Sequence, residues 1–189
     1  MTKLNIVLNQ LFFAVCILAT SVVNALDVER GPYLQRATSD EIIVKWRTDS
    51  NTESVVRYGT SAGSLNQTAT DSGTQKNHRV IVSGLSPNTT YYYSIGNSSS
   101  ALASGNSYRF TTPPEVGTAK KTRIWAIGDA GTANSNQRSV YKAYQNYDGY
   151  DKTNLWIMLG DNAYNDGKLI DRNKLASHFG RRHFSNVHG

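Results

Sequence analysis

The chain has 189 residues and a formal net charge of +6, room for one ordinary domain or for a small domain and part of a second. Its lysines and arginines are scattered rather than gathered in one stripe, and no nucleic-acid-binding motif accompanies them, so DNA and RNA are excluded as expected partners. Excess positive charge would help gather anionic substrates such as phosphate esters, though weakly in salt.

The first segment reads as a leader. Lys3 supplies a short positive region, residues 11–23 (LFFAVCILATSVV) form an apolar core, and Val23-Asn24-Ala25 is a small-x-small cleavage pattern. The apolar core is too short for a membrane span, which needs about 20 residues. Residues 1–25 are therefore expected to be a secretory signal, leaving a secreted, extracellular protein with no stable membrane span; an uncleaved anchor is the alternative. Cleavage removes Lys3, taking the charge from +6 to +5, and removes Cys16, the one cysteine. Neither disulfides nor a thiol nucleophile would then remain. Asn66, Asn88 and Asn97 each begin an N-x-Ser/Thr pattern, which matters in a eukaryotic secretory pathway.

From 26 to 113 the pattern is all-β. Ile42, Val44 and Trp46 alternate with Ile43, Lys45 and Arg47. The stretches SVVRYGT (54–60), HRVIVSGL (78–85), TYYYSIG (90–96) and SYRFTT (107–112) follow, separated by Gly, Pro, Asn and Ser. Short strands with frequent turns predict a β-sandwich. Leu85-x-Pro87-x-Thr89-x-Tyr91-x-Tyr93-x-Ile95 is similar to the tyrosine-corner stretch of fibronectin type III domains, and Trp46 stands where those domains bury a core tryptophan. Trp46 and Tyr91 are expected in the core, and His78, alone in a polar stretch, on the surface.

Residues 114–122 read as a linker, because Pro113 and Pro114 cannot donate to a ladder and Lys120 and Lys121 favour solvent. The period then changes. RIWAIGDAG (123–131) reads as a short strand buried on both faces. A helix is expected over 135–147, capped by Asn134 or Ser135, with Val140, Ala143, Tyr144 and Tyr147 on one face. NLWIMLGDNAY (154–164) is a second apolar strand. The expected fold class is therefore mixed: an all-β, fibronectin-type-III-like sandwich followed by an incomplete α/β (βαβ) unit.

Both apolar strands end in Gly-Asp, and a parallel pairing would place Asp129 and Asp161 at the same carboxyl edge, where open α/β sheets bind ligands. Neighbouring backbones about 4.8 Å apart would set two carboxylates against each other unless a positive group lay between them. A hard metal ion suits carboxylate oxygens, and two ions about 3.5–4 Å apart could share one of them. Gly128 and Gly160 would let the backbone approach closely, and Gly131 would permit a tight turn. The plainer reading is that each Asp caps the turn that follows it. Tyr164, three residues past Asp161, is either packing or a phenolate ligand to a strongly acidic ion such as ferric iron.

GDAG (128–131) and GDNAY (160–164) resemble the first two signature motifs, GDxG and GDxxY, of the purple acid phosphatases within the metallophosphoesterase superfamily. GPYLQ (31–35), the sandwich ahead of the motifs and the order of the parts agree, so the resemblance spans residues 28–167. It implies a partial metallophosphoesterase domain over 123–167. It further implies a dinuclear centre of Fe(III) with Fe, Zn or Mn, in which Asp129 binds the ferric ion, Asp161 bridges and Tyr164 is the phenolate. The reaction implied is hydrolysis of phosphate monoesters. The large branch of the family commonly forms homodimers, which carries over as an expectation, although no residue here marks an interface. The family's Asn-His pair and two later His motifs have no counterpart, so no complete catalytic set is present. By that pattern the chain is a truncated form, inactive alone. Residues 168–189 form a divergent tail in which His178, His183 and His188 recur every five residues, not a helical face. The alternative function is a secreted sandwich that binds a partner without catalysis.

Overall fold

The computed structural model describes residues 26–132, 134–147, 152–161, 164 and 184–185. The expected signal, the histidine-bearing positions of the tail and most of 168–189 lie outside the described residues. No helix among the described residues is long and apolar enough to cross a membrane.

Six strands build the sandwich: β1 (Arg30–Gln35), β2 (Glu41–Gly59), β3 (Gln67–Ser83), β4 (Thr90–Gly96), β5 (Ala101–Ala103) and β6 (Arg109–Thr111). The two long strands each serve both layers. The first half of β2 pairs antiparallel with β1 and with the second half of β3, as in Leu34↔Val44 and Val44↔Val80. The register then slips between Arg47 and Thr52. Beyond that bulge β2 pairs with the first half of β3 and with β4, which in turn pairs with β5 and β6. A bulge adds twist and bends a strand, which lets one continuous hairpin pass from the layer it shares with β1 to the layer it shares with β4, β5 and β6. The arrangement is a fibronectin-type-III-like β-sandwich.

Alternation decides what the layers enclose. Leu34, Ile42, Val44, Trp46, Val80 and Val82 from one layer meet Val56, Tyr58, Tyr91, Tyr93, Ile95 and Phe110 from the other. Trp46 is fully buried, as the sequence predicts, and its indole Nε1 has no hydrogen-bond partner among the described residues. The Tyr91 hydroxyl accepts from the Ser86 backbone N–H at 2.9 Å, closing the tyrosine corner. Trp46 and Tyr91 thus sit in the core as expected.

His78 corrects the sequence reading. It is 1% exposed, not on the surface. It lies opposite Trp46 in register and shares the inward parity of Val80 and Val82. Its ring stacks on Trp46 with centroids 4.5 Å apart. Nε2 lies 2.8 Å from the Thr48 hydroxyl and Nδ1 2.8 Å from the Ser54 hydroxyl, so the imidazole bridges the two sides of the β2 bulge.

After residues 112–123, which contain no strand, β7 (Ile124–Ile127), α1 (Ser135–Gln145) and β8 (Leu155–Met158) follow. β7 and β8 are parallel neighbours, from Ile124↔Leu155 to Ile127↔Met158. A two-residue strand, β9 (Phe184–Ser185), pairs in parallel with both β1 and β8 and joins the two regions edge to edge. Trp125 stacks on Tyr144 of α1 at 3.8 Å and on Trp156 at 5.7 Å.

Two expectations fail here. β7 is not buried on both faces: Ile124 is 52% exposed, because one helix can cover only one side of the sheet among the described residues. The helix also turns a different face inward. Gln137, Tyr141 and Tyr144 are half-buried, while Val140, Ala143 and Tyr147 are exposed. Tyr144, stacked on Trp125, and Tyr141, packed against the cluster of Ala130 and Trp156, bury more surface than Val140 and Ala143 could.

Candidate metal centre

The parallel register of β7 and β8 carries both strands to the same edge, and both chains break there in the same way. Asp129 has φ 51° and Asp161 φ 48°. Left-handed backbone disfavours most side chains, but Asp tolerates it through local hydrogen bonding. Each strand therefore ends in one sharp reversal that holds its carboxylate at the rim. Gly160, with φ 135°, occupies a region essentially closed to other residues. Gly128 does not need to be glycine for space: a Cβ there would meet Leu159 Cβ at an ordinary 3.8 Å.

Tyr164 joins the two loops. Its hydroxyl lies 2.9 Å from Asp129 Oδ1 and 3.0 Å from Asp161 Oδ2. One phenol carries one proton, so it donates to one carboxylate at a time. Its backbone N–H donates to the Gly131 carbonyl at 3.1 Å, tying the second loop to the first. All three sequence-selected residues thus converge on one point.

Hydrogen bonding to Asp129, then partial burial, then the bond to Asp161 and both carboxylate charges push the Tyr164 phenol up to about 12. Two carboxylates facing a phenol with no cation between them stabilise the protonated phenol. A bound cation reverses that sign, because its own charge dominates the site.

The donor set fits a hard ion: two carboxylates and a phenol, all oxygen. It does not complete one. Among the described residues no group of three His, Cys, Asp or Glu side chains could hold a metal ion. The three oxygens are a partial shell.

Sequence reasoning missed one contributor. Gln137, the third residue of α1, donates from Nε2 to the Ala130 carbonyl at 2.5 Å. A Gln three residues after a capping Asn signals a helix start and gives no hint of that contact.

A fibronectin-like sandwich, joined to a parallel βαβ edge bearing two aspartates and a tyrosine, defines the class: a β-sandwich module ahead of a parallel βαβ unit. Residues 32–112 match the family model of the purple acid phosphatase N-terminal domain. The structure is similar to that of purple acid phosphatase PPD1 from yellow lupin (Lupinus luteus) seeds, with TM-score 0.65 and 19% identity over 82% of this chain and 34% of that one. It is also similar to PhoD, with TM-score 0.56 and 15% identity over 82% of this chain and 37% of that one. The chain spans about a third of the length of these two structures. No curated protein matches it in sequence.

Proposed function

We propose that this chain carries the accessory sandwich and the first part of the metal centre of a secreted purple-acid-phosphatase-type phosphomonoester hydrolase. The observation that carries the reading is the Tyr164 hydroxyl within 3.0 Å of both Asp129 and Asp161. Asp129 and Tyr164 would hold a ferric ion, and Asp161 would bridge it to Fe, Zn or Mn. Such a pair of ions would polarise a phosphoryl group, supply a hydroxide nucleophile near neutral pH and stabilise the transferred charge.

The chain's own residues do the positioning. The reversals at Asp129 and Asp161 aim both carboxylates at one place. The Tyr164–Gly131 bond fixes the distance between the loops. Tyr164 must release its proton to act as a ligand, and it does so only against a strong positive charge. The three residues are too few to hold and orient a phosphate ester as well. We therefore propose that hydrolysis needs groups beyond these and that the 189-residue chain is inactive alone.

The experiment is a ferric titration of the purified chain followed by visible absorbance. A phenolate-to-iron band that disappears in Tyr164→Phe supports the reading. Iron binding with no Tyr164-dependent band, or no binding, contradicts it. Separately, metal-dependent hydrolysis of a chromogenic phosphomonoester, abolished by Asp161→Asn, would overturn the claim that the chain is inactive.

A second reading rests on the sandwich core, which closes on itself with residues of both layers. Residues 26–113 would then fold as a binding module in their own right. A cooperative melt of that segment, with no metal binding by the whole chain, would favour it.

A further inference from the structure

Gln137 does something its position in the sequence does not announce. It is the third residue of α1, and its backbone N–H donates to the capping side chain of Asn134 at 3.0 Å. In a capping box, a Gln at this position folds back onto the N–H of the cap residue. Here the side chain reaches past the cap instead, and Nε2 donates to the Ala130 carbonyl at 2.5 Å.

That carbonyl belongs to the Ala130–Gly131 peptide, one residue beyond Asp129. Ala130 is 4% exposed and Gly131 is buried, so water is a poor substitute donor. The next carbonyl, of Gly131, is taken by the Tyr164 N–H. Two consecutive carbonyls after Asp129 are thus held from opposite sides, one by the helix and one by the second loop. Asp129 itself sits at φ 51°, a conformation that persists only while its surroundings impose it. Freeing the peptide between Ala130 and Gly131 removes one of those constraints and lets the carboxylate swing away from Tyr164 and Asp161.

We propose that Gln137 is a positioning residue for the metal centre: by clamping the Ala130 carbonyl it holds Asp129 in the left-handed conformation that aims its carboxylate at the shared site. The inference rests on the metal-binding reading above. It does not make Gln137 a ligand or a catalytic group. Outer-shell hydrogen bonds of this kind change metal affinity by roughly 10–100-fold when removed.

The test uses terbium(III), a hard trivalent probe whose emission is sensitised by nearby aromatic rings, titrated into the full chain. Gln137→Met keeps length and helix preference but cannot donate. Gln137→Glu keeps length, replaces the donor with a carboxylate and adds a negative charge near the site. Electrostatics alone would make the Glu variant bind the cation more tightly; loss of the clamp makes it bind more weakly. The expected result is a roughly tenfold weaker terbium affinity in both variants. Emission lifetimes should shorten as water takes the place of Asp129, while the far-ultraviolet circular dichroism of the chain stays unchanged. A merely structural Gln137 would not alter the lifetime. Parent-like affinity and lifetime in both variants would overturn the clamp while leaving the metal reading intact, provided Asp161→Asn abolishes binding. No terbium binding by the parent chain, or equal binding by Asp161→Asn, would overturn the metal reading and the clamp with it.

Discussion

Acidification should weaken the sandwich through one residue. His78 is fully enclosed, stacked on Trp46 and bonded at both ring nitrogens by Thr48 and Ser54. Burial lowers its pKa from 6.5 to about 4, with the Asp71 carboxylate opposing the shift. The folded state therefore prefers the neutral ring. As pH falls below about 6.5, the unfolded chain takes up the proton first and gains free energy relative to the fold. This contribution to stability is full above pH 6.5, is lost progressively down to about pH 4, and changes no further below that. A difference of about 2.5 pKa units at 1.36 kcal/mol each sets the loss near 3 kcal/mol. For a domain of this size that is a fall of roughly 10–20 °C in melting temperature. Melts followed by circular dichroism across pH 7 to 4 measure it, with His78→Gln as the control, since Gln keeps polar atoms but does not titrate. The variant should show a much flatter profile over that window. A His78 ring proton titrating near pH 6.5 by NMR, or an equally steep profile in His78→Gln, would refute the reasoning.

Other substitutions test the packing. Tyr91→Phe deletes the hydroxyl bonded to the Ser86 N–H and should cost about 1–2 kcal/mol in urea unfolding; an unchanged midpoint would remove the corner's energetic role. Gly59→Ala places a Cβ against the Ser64 carbonyl oxygen, a backbone atom that cannot step aside. It should destabilise by about 1–3 kcal/mol, whereas Gly63→Ala, with open space around it, should be near neutral in the same assay.

Much of this was legible beforehand because the responsible interactions are local or periodic. Ile42, Val44 and Trp46 alternate, and alternation on a sandwich strand is burial. The Gly-Asp repeats at two strand ends needed only a parallel pairing to bring Asp129 and Asp161 together. What was not legible depends on partners distant in sequence. The first half of β3 is polar and largely exposed, so it carries no apolar alternation and is recognisable as a strand only from its pairing with β2. His78 looked solvated because its neighbours in the chain are polar; its real neighbours, Trp46, Thr48 and Ser54, lie 24 to 32 residues away. The inward face of α1 was not legible because Gln137 holds a polar contact with Ala130 and Tyr144 stacks on Trp125, which a count of aliphatic residues passes over. The left-handed φ of both aspartates has no sequence signal beyond the tolerance of Asp for that conformation.

The central claim is that Tyr164 is a phenolate ligand held between Asp129 and Asp161. The most direct measurement is the ionisation of the Tyr164 ring, by NMR, with and without gallium(III) as a diamagnetic stand-in for ferric iron. Without the ion the phenol should stay protonated up to a pH of about 12, as the two facing carboxylates require. With it, ionisation should fall below pH 7. A Tyr164 ring that ionises near 10 in the metal-free chain, or whose ionisation gallium leaves unmoved, would contradict the account.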